Sequence, residues 1–309
     1  MRDHFINELF ELAKKDDKII LIAGDVGFGV LTEFAETLPN QFVSAGVAEG
    51  NMTGMAAGMA LDGRIPYTYS IANFPTLRAI EQIRNDVCYN QAPVNIVAVG
   101  AGYAYGALGA SHHATEDIAM MRSLPGLDVY SPADTFEAEA VARLSAASNR
   151  PAYIRLGRAG EKPIHSSDIA TLEEPLELRK GTDGVLLVTG SIAHNAIVAA
   201  DRASDSGIEL AVHSVPMIKP FPEEAVLSLA KAGLPVFTLE EHSVIGGLGS
   251  ATAELLSGFS NQVGSLTRFG LPDEFSHHVG DQDYLLAKQG LDPQSITAEL
   301  LEHFSSKNT

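Results

Sequence analysis

Short apolar runs, alternating with helical patterns, constrain this chain more than any other feature. "KIILIAGDVG" (18–27), "QFVSAGVAE" (41–49), "RIPYTYSI" (64–71), "PVNIVAVGAG" (93–102), "GLDVYSPAD" (126–134) and "RPAYIRLG" (150–157) are short, β-rich and nearly continuous in apolar character. Helical spacing separates them, as in "FPTLRAIEQIRNDVCYN" (74–90) and "TFEAEAVARLSAAS" (135–148). A strand apolar on both faces must be covered on both faces, and strand–helix alternation does this for a parallel sheet. The texture changes at "RAGEKPIHSSDIATLEEPLELRKGTDG" (158–184), which is polar and broken by prolines. Alternation resumes with "GVLLVTGS" (184–191), a helix over 192–206, "IELAVHSVPM" (208–217), a helix over 222–232, "LPVFTLEEH" (234–242) and "GGLGSATAELL" (246–256). The expectation is two parallel-sheet α/β domains, 1–160 and 181–309, joined by a linker at 161–180.

Charge and cysteine content exclude whole classes of function. The formal net charge is −18, from 39 acidic against 21 basic residues, so the surface repels nucleic-acid phosphates and anionic lipid. Cys88 is the sole cysteine, so no internal disulfide can form. The start, "MRDHFINELFELAKKDDK", reads as an amphipathic helix rather than a signal peptide, and no apolar run approaches the roughly 20 residues of a membrane span. A cytoplasmic location is the expectation.

Three motifs invite chemistry. "GDVGFGV" (24–30) follows a strand but lacks phosphate-loop spacing and the following Lys-Ser/Thr, so it reads as a turn. "GGLGSATAELL" opens a helix, where anions can bind, although close helix–strand packing explains its glycines equally well. "GASHHATED" (109–117) places His112 and His113 in a loop with no cysteine close by. That is a poor zinc set but a reasonable donor pair for a small anionic or hydroxylated substrate.

The fourth stretch, "FVSAGVAEGNMTGMAAGMALDG" (42–63), isolates Glu49 among small and apolar residues, with no Lys or Arg following until Arg64. A buried unpaired carboxylate costs several kcal/mol or becomes neutral. Gly54 and Gly58 share a face of the helix that follows, at about 1 kcal/mol each relative to Ala. Core packing of that helix, or close approach of a backbone or a flat ligand, would account for the glycines. Core packing leaves Glu49 unexplained.

"GVAEGNMTGMAAGMAL", "YSIANFPTLRAIEQIRND", "GASHHATEDIAMMRSLPGLDVYSPAD", "RPAYIRLGR" and "FTLEEHSVIGGLGSATAELL" occur in the order found in the C-terminal half of transketolase, and the chain resembles that family from about residue 18 to about 300. It is also similar to 1-deoxy-xylulose-5-phosphate synthase. The resemblance implies a pyrimidine-binding domain followed by a transketolase C-terminal domain, with thiamine diphosphate bound between subunits. The diphosphate and Mg²⁺ would be held by a partner carrying a Gly-Asp-Gly motif with a downstream Asn. "GDVG", "TDGV" and "GDQD" are this chain's nearest strings, and none has that follow-up. A split transketolase-like enzyme, assembled as α2β2 with an N-terminal-half subunit, is therefore expected.

By the same resemblance Glu49 hydrogen-bonds a ring nitrogen of the cofactor's aminopyrimidine and drives the proton relay that activates it. Phe74 stacks on that ring, and Asp25 is an acid near the cofactor. His113 contacts the substrate hydroxyl, with His112 beside it, and Arg155 or Arg158 meets a substrate phosphate. Departures from the pattern are Gly50 after the glutamate, Gly109 in place of an acid, and "GAGYAYGAL" in place of a histidine-bearing loop. They point to an acceptor other than an ordinary sugar phosphate. Ketol transfer is the leading expectation. Decarboxylative condensation of a 2-oxo acid, a silent scaffold paralogue, and an independent nucleotide-binding protein are the alternatives.

Overall fold

The computed structural model describes all residues except Phe28, Lys231, Ala232, Ser260, Asn261 and 306–309. Part of the "GDVGFGV" string, the last two residues of the helix expected over 222–232 and the last four of the expected second domain thus lie outside the described residues. Twelve strands appear among the described residues: β1 Ile19–Ala23, β2 Phe42–Ser44, β3 Ile65–Ile71, β4 Asn95–Val99, β5 Asp128–Tyr130, β6 Ala152–Leu156, β7 Leu176–Arg179, β8 Gly184–Thr189, β9 Leu210–Ser214, β10 Met217–Lys219, β11 Val236–Ser243 and β12 Leu266–Leu271. They form a seven-stranded sheet in the order β10-β5-β6-β4-β3-β1-β2 and a five-stranded sheet in the order β12-β11-β8-β9-β7.

All pairs are parallel except two edge strands. β10 runs antiparallel to β5, and β7 antiparallel to β9. The two sheets are otherwise parallel, as expected, and these edge strands add to that picture. β7 lies inside the segment expected to be a linker, and β10 comes from the second half of the chain yet extends the first sheet. Their brevity, three and four residues, hid them: an edge strand needs hydrogen-bonding neighbours more than a long apolar signature. The linker is also anchored early, because the Asp134 carboxylate accepts the N–H groups of Ile164 and His165 at 2.8 Å.

Side-chain alternation explains the layers. Ile20, Ile22, Ile96 and Ala98 point into one apolar cluster, while Ile19, Leu21, Val97 and Val99 point into another on the opposite face. The first cluster continues through Val185 and Leu187 of β8, so the two sheets share a core, and Leu186 and Val188 face a third cluster. Among the described residues no helix is long and apolar enough to cross a membrane.

Polar ties reinforce this junction. Arg155, on β6 and only 2 % exposed, donates through Nε to Asp117 at 2.7 Å and through one terminal nitrogen to the carbonyls of Ala114 (2.8 Å) and Glu241 (2.9 Å). Tyr153 donates its hydroxyl to the same Asp117 oxygen at 2.5 Å. His242 Nε2 accepts the Ala119 N–H at 3.2 Å, and Glu241 accepts the Tyr103 N–H at 2.6 Å. The "LEEHS" end of β11 is thus a docking strand that fixes the loop carrying the two histidines.

Glu241 yields a pH prediction. Burial outweighs its hydrogen bonds from Tyr103 and Gln282 and raises its carboxyl from 4.5 to about 7. The stability belonging to the protonated acid is complete below pH 4.5, the unfolded value, and is lost as pH rises through 7. Glu241→Gln keeps the shape and cannot ionise. Its loss of stability between pH 5 and 8, followed by urea melts, is expected to be smaller than the wild type's by about 1–3 kcal/mol. An unchanged difference would mean that Glu241 ionises freely in the fold.

Candidate active site

In an open α/β sheet, ligands bind beyond the carboxyl ends of the strands, where successive connections diverge to opposite sides. In the first sheet β1 is flanked by β2 and β3, so the divergence lies there. The loops after β1, β2, β3 and β4 carry Asp25, Glu49, Phe74 and the histidine pair respectively.

Glu49 is the first residue of the helix Glu49–Leu61, where an acid favours the positive helix end. It is only 4 % exposed, and its oxygens lie 3.3 and 3.4 Å from one Arg78 nitrogen. The sequence expectation of a carboxylate without a basic partner is therefore corrected: the partner arrives through the fold, from the segment after β3. The helix expected over 74–90 is broken there into Asn73–Leu77, Ile80–Gln82 and a π-helical stretch Ile83–Tyr89. The break leaves Arg78 on an exposed turn. Its guanidinium carbon stands 4.3 Å from the Phe74 ring centroid, over the face. Sequence reasoning missed Arg78, although its i, i+4 spacing from Phe74 was the available signal.

Phe74 meets the His112 ring edge-to-face at 5.2 Å, so Glu49, Arg78, Phe74 and His112 form one continuous group. His113 lies behind, buried against Tyr103 at 4.8 Å. Its Nε2 stands 3.3 Å from the Gly106 carbonyl, which can only accept, so Nε2 carries the proton and Nδ1 is left as an acceptor. Burial holds His113 below its ordinary pKa and keeps it neutral.

Asp25 and Arg158 belong to a second group around Tyr105. Asp25 is exposed and lines a cavity of about 240 Å³ with Tyr69 and Tyr105, while the Arg158 guanidinium stands 5.2 Å from the Tyr105 ring centroid. The Tyr105 ring packs so closely on Gly100 that a Cβ there would meet it at 2.2 Å. Arg155 joins neither group: its interior hydrogen bonds remove it from the surface a substrate phosphate could reach, which corrects its expected role.

The glycine strings prove structural. Asp25 and Gly27 adopt positive φ in a turn after β1. At "GGLGSATAELL" the Glu240 carboxylate itself accepts the N–H groups of Leu248 (2.7 Å) and Gly249 (2.8 Å). The helix N-terminus is thereby filled from within. Among the described residues no cluster of three or more His, Cys, Asp or Glu could hold a metal ion.

The donor set suits an aminopyrimidine: a buried carboxylate beside an aromatic face, with a flat N–H-donating cation already lying between them. The transketolase pyrimidine-binding domain family matches residues 1–160, and the transketolase C-terminal domain family matches residues 174–296. The 6-deoxy-6-sulfo-D-fructose transketolase subunit SqwH of Clostridium sp. (strain MSTE9) is 38 % identical, covering 100 % of this chain and 95 % of that protein. The 1-deoxy-D-xylulose-5-phosphate synthase of Pelotomaculum thermopropionicum is 34 % identical over 98 % of this chain but only 48 % of its own length. A solved structure described as a split-gene transketolase in an inactive β4 tetramer superposes with a TM-score of 0.87 at 35 % identity, covering 97 % of this chain and 96 % of that one.

Proposed function

The chain belongs to the transketolase family, and from that premise we propose that it is the second subunit of a split enzyme transferring a two-carbon ketol unit. The observation that carries this reading is the buried Glu49 carboxylate linked to the Phe74 ring by one flat nitrogen donor, the Arg78 guanidinium, which touches both. Thiamine diphosphate, when bound, supplies the nucleophilic carbon and the electron sink. Glu49 would accept a hydrogen bond from a ring nitrogen of its aminopyrimidine in the protonated or imino form, which a buried carboxylate favours. Phe74 provides the stacking face. His113, whose Nδ1 is left as an acceptor, meets the substrate hydroxyl, with His112 beside it. Arg158 is the arginine available to a substrate anion.

A partner chain supplies the diphosphate and Mg²⁺ sites and covers the group. Val47, Leu77 and Leu108, in the segments that carry Glu49, Arg78 and the histidine pair, are 70 %, 49 % and 55 % exposed. A Cβ added at Gly58 would meet nothing within 4 Å in this chain, and one at Gly54 would meet only Asp86, at 3.8 Å. Both therefore suit the close approach of a neighbouring subunit in an α2β2 assembly. That a related split-gene chain forms an inactive β4 tetramer supports the need for a partner.

The test is calorimetry of thiamine diphosphate with Mg²⁺, on this chain alone and mixed with a candidate partner bearing the Gly-Asp-Gly…Asn motif. Tight binding only in the mixture is expected. No binding in a mixture shown to form a complex would sink the reading. Product analysis with a ketose phosphate against pyruvate then separates ketol transfer from decarboxylative condensation.

A further inference from the structure

A guanidinium and an aminopyrimidine are alike in the features this cleft recognises. Both are flat, both present N–H donors in their plane, and both offer a π-face to an aromatic ring. Arg78 uses all three at once: it donates to the two oxygens of Glu49 at 3.3 and 3.4 Å while lying 4.3 Å over the face of Phe74. Its side chain is 53 % exposed, whereas Glu49 is almost wholly buried. One end of the contact is fixed by the helix Glu49–Leu61. The other rests on an exposed turn between two short helices, from which a long side chain can swing into solvent.

We propose that Arg78 is a resident stand-in for the cofactor's aminopyrimidine, filling the Glu49–Phe74 cleft until the cofactor displaces it. The inference rests on the reading of that cleft as the pyrimidine site. Two physical consequences follow. Arg78 supplies the counter-charge that makes a buried, cofactor-free Glu49 tolerable. It also makes the open cleft a minority state, and apparent affinity falls in proportion to the open fraction. Arg78 therefore sets how readily the assembled enzyme loads, without being a ligand of the loaded cofactor.

The experiment compares wild type, Arg78→Gln and Arg78→Lys in the reconstituted two-subunit complex. It uses calorimetric titration of thiamine diphosphate with Mg²⁺, and thermal melts with and without the cofactor. Arg78→Gln is expected to melt at a lower temperature when cofactor-free and to bind thiamine diphosphate about tenfold more tightly, as for a cleft otherwise open about one-tenth of the time. Arg78→Lys, which keeps the charge and loses the flat group, is expected to fall between the two. Equal or weaker binding by Arg78→Gln, with wild type binding normally, would overturn this inference and leave the proposed function standing. Failure of the wild-type complex to bind would overturn both.

Discussion

Glu49→Gln in the reconstituted complex is expected to lower turnover by about 10³-fold while leaving subunit assembly intact. The magnitude is that of a positioned acid–base group. Glutamine matches the side chain in shape, and no side-chain cap bond exists at that helix end to be lost, so the helix Glu49–Leu61 and its packing have no reason to change. What it removes is the carboxylate, the one charged acceptor that the cleft offers to a ring nitrogen. Steady-state kinetics and size-exclusion chromatography of the same preparation check both halves. Turnover within a few-fold of wild type would remove Glu49 from the chemistry.

The second large effect is on stability. Arg155→Met leaves Asp117 buried without its cation and strips donors from the carbonyls of Ala114 and Glu241, across the junction of the two sheets. Breaking such a pair from one side costs about 3–5 kcal/mol, measurable by urea unfolding. Arg155→Met combined with Asp117→Leu is expected to recover part of that loss, because removing both charges avoids an uncompensated one. An arginine serving only a substrate phosphate would behave in the opposite way, with KM rising and the melt unchanged. Arg158, exposed and resting on Tyr105, is expected to show that opposite pattern. A wild-type melt for Arg155→Met would return it to the substrate site.

The contrast between these arginines marks where sequence reading stops. Both fall at the end of a strand in "RPAYIRLGR", and residue type alone does not separate them. Position within the strand does, once the sheet exists: Arg155 belongs to β6 and lies in the interior, while Arg158 lies beyond the strand end. Arg78 teaches the same lesson from the other side. Twenty-nine residues separate it from Glu49, so no local pattern around the glutamate includes it. The histidine pair was legible as a pair, but which ring faces Phe74 and which turns inward depends on the loop between Gly100 and Ala114.

By itself the sequence determined the α/β class, the alternation of strands and helices, and the loops that bear chemistry. Those properties depend on apolar periodicity, and short-range spacing carries them. Tertiary structure alone decided three things: the antiparallel edges β7 and β10, the partner of Glu49, and the conversion of Arg155 from candidate substrate contact into the tie, with Asp117 and the Glu241 carbonyl, between two sheets. Each depends on what stands opposite a side chain after distant segments meet. A polar group's cost or use is fixed by that neighbour and by the water it loses, neither of which the linear order states.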